Sequence, residues 1–403
     1  MTSRFLGAAI VLGLLSAIGP FAIDMYLPAL PTIQQSLHAD VGAVQMSLMA
    51  FFISVGVGQL VYGPLSDMFG RKPPIYFGLC LFALGSIGCA MAPDIHSLIL
   101  CRFVQGLGAC AGMVVPRAIV RDMHTGNDAA RLMSLLMLVF SVSPILAPLT
   151  GSLVIRLASW RGIFWVVTGA AALGLLMVAS VLKETRSAEQ RVASGVASAL
   201  AAYRTLLKDR HFLGLVFIGA FGVSSFFAYL ANSSFVLIDH YGLTPTQYSL
   251  AFSVNAVAFI GAAQFTGGLG SRYGLKRVVK MAVTGYAITM LLLLAVLLAG
   301  VDRLPVMMAL LFVGYGFLGL VIPSTAVLAL DGHGAIAGTA SALMGTFQFV
   351  TGALVIAVIR LFLNGTALPM VAGIATCAWI AFALARITLG TGKPQLEACA
   401  AVD

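Results

Sequence analysis

Gly63-Pro64-Leu65-Ser66-Asp67-Met68-Phe69-Gly70-Arg71-Lys72 returns 204 residues later, without a gap, as Gly267-Gly268-Leu269-Gly270-Ser271-Arg272-Tyr273-Gly274-Leu275-Lys276. Each copy follows a long apolar stretch, and each ends in basic residues. The offset is about half of the 403-residue chain, so the repeat divides it into two halves of one orientation.

The sequence around the repeat sets the solvent. Hydrophobic residues make up 60% of the chain and charged ones 9%, with 23 basic and 14 acidic side chains. A soluble domain carries about a quarter charged residues. So few charges cannot cover a water-facing surface, which excludes a soluble enzyme, a DNA-binding module and a disordered chain. Uncharged runs such as Gly162 to Leu182 reach helix length without the alternation of a membrane β-barrel. The expected fold is all-α and membrane-embedded. Twelve segments are long enough to span the bilayer: 5–30, 43–65, 74–92, 97–121, 131–155, 161–182, 211–235, 246–269, 277–300, 305–330, 335–361 and 366–388. The first begins after Arg4 like a signal peptide, but it is too long for one and is expected to be retained.

With the N-terminus inside, 18 basic residues fall in cytoplasmic segments and 4 outside, so both termini are expected in the cytoplasm. The net charge of +9 is thus an orientation signal, not a nucleic-acid surface. The longest polar interruption carries six basic residues. It divides the chain into an N-terminal six-helix bundle (1–182), a cytoplasmic central loop (183–210) and a C-terminal six-helix bundle with a short tail (211–403). Parallel halves are related by an axis along the membrane normal. The six cysteines form no CxxC pair and the six histidines show no ligand spacing, so no metal or cofactor is expected.

Four groups of residues carry a resemblance. The loop Gly63 to Pro73 resembles the signature between helices two and three of the major facilitator superfamily. Leu98 to Gly108, with Arg102, Gln105, Gly106 and Gly108, resembles the fourth-helix motif of its proton-driven members. Pro144, Pro148 and Gly151 are similar to the fifth-helix antiporter motif, with Ala147-Pro148 in place of Gly-Pro. Asp24-Met25-Tyr26-Leu27-Pro28-Ala29-Leu30-Pro31 and Gly338-Thr339-Ala340-Ser341 resemble the Bcr/CflA branch of twelve-helix drug:proton antiporters. The resemblance covers essentially the whole chain. It implies a multidrug exporter for bicyclomycin- and chloramphenicol-like compounds in a bacterial inner membrane.

Individual residues follow from chemistry and from that resemblance. Asp24 is a lone carboxylate in an apolar span, costly in hydrocarbon and therefore a candidate for proton coupling; the alternative is a helix that ends early and leaves Asp24 in water. Arg102, about 6 Å inside the outer end of the fourth span at 1.5 Å per residue, is placed to pair with Asp24 or to snorkel. The family links the matching arginine to proton coupling. Candidates for the substrate cavity are Tyr26 and Gln45 in the first half, and Phe226, Phe227, Tyr229, Asn232, Asn255, Tyr315 and Gln348 in the second. In the family the residue matching Asp67 meets the N-terminus of the eleventh helix, which implies gating; a plain stop-transfer loop is the alternative. Arg71 and Lys72 anchor that loop at an anionic headgroup surface, and Arg71 is counted with the gate. Arg117, Arg121 and Asp122 are expected to form a charge cluster with Arg131, which either accompanies Asp67 in gating or is simply a solvated ion pair. Gly63 and Gly70 are expected to allow a tight turn. Pro144 and Pro148 should bend the fifth span, with Gly151 packing against the other half. The partners expected are a small hydrophobic drug, protons and lipid, with the chain acting as a monomer and no nucleic acid bound. The rival is a proton-coupled metabolite exporter or symporter on the same fold; an enzyme would need a catalytic constellation in the spans, and none is evident.

Overall fold

The computed structural model describes residues 3–123, 126–186 and 196–390. Among them twelve helical spans are long and apolar enough to cross a membrane: Gly7–Ser36, Val41–Phe69, Lys72–Met91, Ile95–Met123, Leu135–Leu157, Trp160–Ser180, Arg210–His240, Pro245–Tyr273, Leu275–Leu298, Leu304–Asp331, Ala337–Arg360 and Leu368–Gly390. They are the first to twelfth spans below, and each matches one expected segment. The end of the bundle that carries Gly70 and Gly274 is the loop end; the opposite end is the far end.

Several boundaries differ from expectation, each for a local reason. The first span does not stop near residue 30. Its main helix ends at Asp24, a turn at Met25 and Tyr26 follows, and helical segments Leu27–Ala29 and Leu30–Ser36 carry it to the far end. Pro28 and Pro31 each sit in the opening positions of those segments, where a proline needs no hydrogen-bond partner. The second span starts at Val41 because Asp40 caps it, accepting from the Ala43 N–H at 2.8 Å. It runs through Pro64 to Phe69, so most of the loop motif is helix and the turn is confined to Gly70 and Arg71. Only Gly70 needs its freedom, at φ 93°; Gly63 has open space where a Cβ would sit. The second copy repeats the pattern, with Thr266–Tyr273 helical and Gly274 at φ 77°.

Within the first half, the fourth span packs between the second and third, while the first packs on the fourth, fifth and sixth. Gly106 and Gly108 make this possible. A Cβ on Gly106 would come within 2.6 Å of the Phe51 carbonyl oxygen, and one on Gly108 would strike the Phe82 backbone nitrogen. In the second half the seventh span packs on the tenth, eleventh and twelfth, and the ninth on the tenth and twelfth. Two seams join the halves: the second span against the eleventh, and the fifth against the eighth. At the first seam Phe52 stacks on Phe227 with ring centroids 4.2 Å apart, Phe349 closes edge-on at 5.6 Å, and Thr346 donates to the Gly56 carbonyl at 2.8 Å. A helix outside the spans, Val196–Lys208, lies at the loop end, where the Tyr203 hydroxyl donates to the Leu60 carbonyl at 3.3 Å.

Candidate functional site

Asp24 is the last residue of the main helix of the first span and is 5% exposed. The break beside it leaves the carboxylate buried in the protein, not wetted at a helix end. It has no hydrogen-bond or ion-pair partner among the described residues. The charge lies within electrostatic reach of the Tyr248 phenol, which belongs to the eighth span and so to the other half. An orphaned carboxylate at an interface is a group that can switch its protonation when that interface opens.

Arg102 does not form the expected pair with Asp24: no ion pair joins them among the described residues. Nor does it snorkel. It sits seven residues into the fourth span, about 10 Å at 1.5 Å per residue, and is fully buried. Its guanidinium is held between two rings, 4.5 Å from the Tyr26 centroid and 4.3 Å from that of Phe51. Nη1 donates to Gln105 Oε1 at 2.6 Å and to the Ala22 carbonyl at 3.2 Å, and Gln105 Nε2 donates to Ser86 Oγ at 2.7 Å. Nε and Nη2 have no acceptor. Tyr26 is therefore a wall for the arginine, its hydroxyl bonded to Ser47 Oγ at 2.6 Å.

Hydrogen bonds join the halves at the far end, beside a cavity of about 380 Å³ lined by Asp40, Asn232, Asp239 and Arg360. Gln45 Nε2 donates to Asn232 Oδ1 at 2.8 Å and to the Ala231 carbonyl at 3.2 Å, and Ser234 Oγ donates to the Leu27 carbonyl at 2.6 Å. On the other seam Ser249 Oγ donates to the Pro148 carbonyl at 2.8 Å and Ser253 Oγ to that of Ile145 at 3.1 Å. Pro148 lacks the N–H that would meet the Pro144 carbonyl, yet the helix runs on through both prolines from Gly126 to Leu157. Gly151 faces elsewhere than expected. A Cβ there would strike the Met25 carbonyl of the first span, so the glycine admits the broken segment of its own half.

The loop end is open, with a cavity of about 470 Å³ lined by Asp67, Arg71, Arg121 and Asp122, by Gly338 and Thr339 of the eleventh span, and by the helix bearing Tyr203. Asp67 and the start of the eleventh span thus face one cavity. Arg71 donates to Asp122 at 2.6 and 3.1 Å and to Asp67 at 2.8 Å, while Arg186 reaches Asp67 at 3.3 Å. Burial alone would lower the Arg71 pKa, but the hydrogen bond and charge of Asp122, then those of Asp67, hold it above its ordinary value. Glu184 accepts from the Arg71 and Lys72 backbone N–H groups. The side chain of Arg131 lies outside the described residues.

The candidate substrate residues separate into groups. Phe226, Tyr229, Asn255 and Tyr315 meet in one cluster of the second half, with Phe252 stacked on Tyr229 at 5.6 Å. Asn255 Nδ2 donates to the Tyr229 hydroxyl at 3.0 Å, while Asn255 Oδ1 and the Tyr315 hydroxyl are buried without partners. Phe227 belongs to the seam with Phe52 and Phe349. Gln45 and Asn232 hold each other at the far end. Gln348 lies 3.9 Å from where a Cβ of Gly219 would sit. Sequence reasoning missed Phe52, Phe349, Ser249, Ser253 and Glu184. Ser249 and Ser253 are four apart on one helical face, which was a readable signal; the others carried none.

The chain matches the family model described as Major Facilitator Superfamily over residues 12–356. It is 38% identical to "Uncharacterized MFS-type transporter YdgK" of Bacillus subtilis over 91% of each chain. It is 29% identical to "Bicyclomycin resistance protein homolog" of Haemophilus influenzae, over 91% of this chain and 92% of that one. The solved xylose transporter XylE from E. coli shares the fold, with a TM-score of 0.72 at 14% identity over 95% and 97% of the two chains. A model match across most of the chain, twelve spans and a repeated loop motif agree: this is a multi-pass membrane transporter, not an enzyme, and it belongs to the Major Facilitator Superfamily.

Proposed function

We propose that the protein exports hydrophobic antibiotics of the bicyclomycin and chloramphenicol kind from a bacterial cytoplasm in exchange for protons, by alternating access. The buried, unpartnered carboxylate of Asp24 at the seam between the halves carries this reading. The family branch supports the drug class, through a relative named for bicyclomycin resistance. The excess of basic residues supports a cytoplasmic loop end and cytoplasmic termini. In that orientation the loop-end cavity takes solute from the cytoplasm while hydrogen bonds hold the halves together at the far end.

The units that rock are 1–182 and 211–403, joined by 183–210. Drug entering from the cytoplasm reaches the cluster of Phe226, Tyr229, Asn255 and Tyr315, where two buried polar atoms await a partner. The halves then pivot: the far-end hydrogen bonds open, and Asp67 and Arg71 meet the start of the eleventh span. Protonation of Asp24 from outside removes its charge, releases the drug and favours return. One proton moved through 100 mV supplies about 2.3 kcal/mol, enough for a roughly fifty-fold gradient of a neutral solute. Pro144 and Pro148, which lack the N–H groups of the helical ladder, make the fifth span easier to flex in this motion.

The test is Asp24→Asn in proteoliposomes with an imposed pH gradient. The variant should insert and melt like the parent, bind drug and lose proton-driven export. Export equal to the parent's rejects the assignment.

A further inference from the structure

The loop-end cavity holds more positive charge than its carboxylates use. Asp122 and Asp67 are already engaged by Arg71 and Arg186. Arg117 and Arg121, one turn apart on the fourth span, line the same cavity and have no carboxylate partner among the described residues. They feel one another's charge, and Arg121 Nε reaches back only to the Arg117 carbonyl at 3.4 Å. Arg117 Nε is buried with no acceptor, and its guanidinium lies 5.3 Å from the Phe140 ring centroid. Across the cavity stand Gly338 and Thr339, at the start of the eleventh span, whose N-terminus has no side-chain cap and presents a positive dipole end, its first N–H, that of Ala337, meeting the Gly334 carbonyl.

Two like charges side by side, one with a buried donor unmet, repel one another, and an anion from outside the chain that pairs with both relieves this. Phe140 and Val114 supply an apolar surface next to the guanidinium groups. We propose that Arg117 and Arg121, facing the N-terminus of the eleventh span, form a subsite for the carboxylate or phosphate end of an amphiphilic anion. This rests on the reading of the cavity as the solute entrance. It extends the substrate class from neutral drugs to hydrophobic monoanions. Arg is the right cation for it, since its planar fork pairs two oxygens at once.

The test uses the full chain in phosphatidylcholine nanodiscs and two fluorescent probes of nearly equal shape, 1-pyrenebutyrate and its neutral amide. The carboxylate should bind about tenfold more tightly than the amide, the size of one charge-assisted hydrogen bond. Arg117→Gln with Arg121→Gln should erase that preference, and Arg272→Gln, on the exposed second copy of the loop, should keep it. If the double variant melts early, Arg121→Gln alone, at an exposed position, should still reduce the preference. Equal affinity for acid and amide in the parent, or an undiminished preference in the double variant, overturns the subsite. Nanodiscs containing one-third phosphatidylglycerol separate the sources. Unchanged carboxylate binding assigns the subsite to free solutes, and competition assigns it to lipid phosphate; both uphold an anion site. Because binding is read and not export, failure here leaves the exporter reading standing, and failure of drug export leaves this preference intact.

Discussion

At the scale of single residues, two intramembrane charges do different work. Asp24 has no hydrogen-bond or ion-pair partner among the described residues, whereas Arg102 is packed between two rings and donates through Nη1 to Gln105 and the Ala22 carbonyl. Its role depends on planarity as well as charge. Arg102→Lys keeps the charge and hydrogen-bond donors but loses the planar guanidinium stacked between the Tyr26 and Phe51 rings. The expected cost is about 2 kcal/mol or more, seen as a lowered melting temperature, with export reduced alongside. A variant that melts and transports like the parent would show that the stacked geometry is dispensable. Both charges were legible in the sequence, because a charge within an apolar run stands out in any reading. Their separation was not. Which way a side chain faces depends on rotation about each helix axis, and the apolar runs are nearly uniform around their circumference.

Spans were readable because length and apolarity suffice to identify them, yet their ends depend on single caps and turns. Asp40 and the Thr244–Gln247 capping box start two helices, and Gly70 ends one. The loop motif was read as a turn although most of it is helix, since Gly63 and Pro64 are tolerated in a span supported by its neighbours. Between elements the far end carries a further device. Asp302, between the ninth and tenth spans, accepts from the Tyr241 hydroxyl and lies 2.7 Å from His240 Nε2 at the end of the seventh. The Tyr241 hydrogen bond first, and then His240, hold the Asp302 carboxyl below its ordinary value of 3.8. A depressed folded-state pKa stabilises the fold above the ordinary value and loses that contribution as pH falls through the lowered one. Asp302→Asn should therefore melt below the parent at pH 7, and the two should converge as the pH drops past about 3.8. A gap that persists at low pH would place the effect in packing, not in the carboxylate charge. The group is largely exposed, so the shift should be small.

For the whole molecule, the sequence repeat correctly implied two halves, but it could not say at which end they touch, since one set of helices packs into either arrangement. The difference lies in weak, specific contacts. At the far end these are the Gln45–Asn232 pair and three serine-to-carbonyl bonds, each worth about 1 kcal/mol net. The loop-end ion pairs of Arg71 with Asp67 and Asp122 instead lie within the first half and do not tie it to the eleventh span. A few kcal/mol at one end is a balance that solute and proton binding can tip. Locking that end should therefore separate binding from transport. Cysteines replacing Gln45 and Asn232, in a background without the six native cysteines, can be bridged by a short bis-methanethiosulfonate. The bridged protein should keep drug binding from the loop end, lose export completely and recover it on reduction. Full export through the bridged far end would mean that the halves do not part there, and the rocking of the two bundles would have to be replaced by motion within one of them.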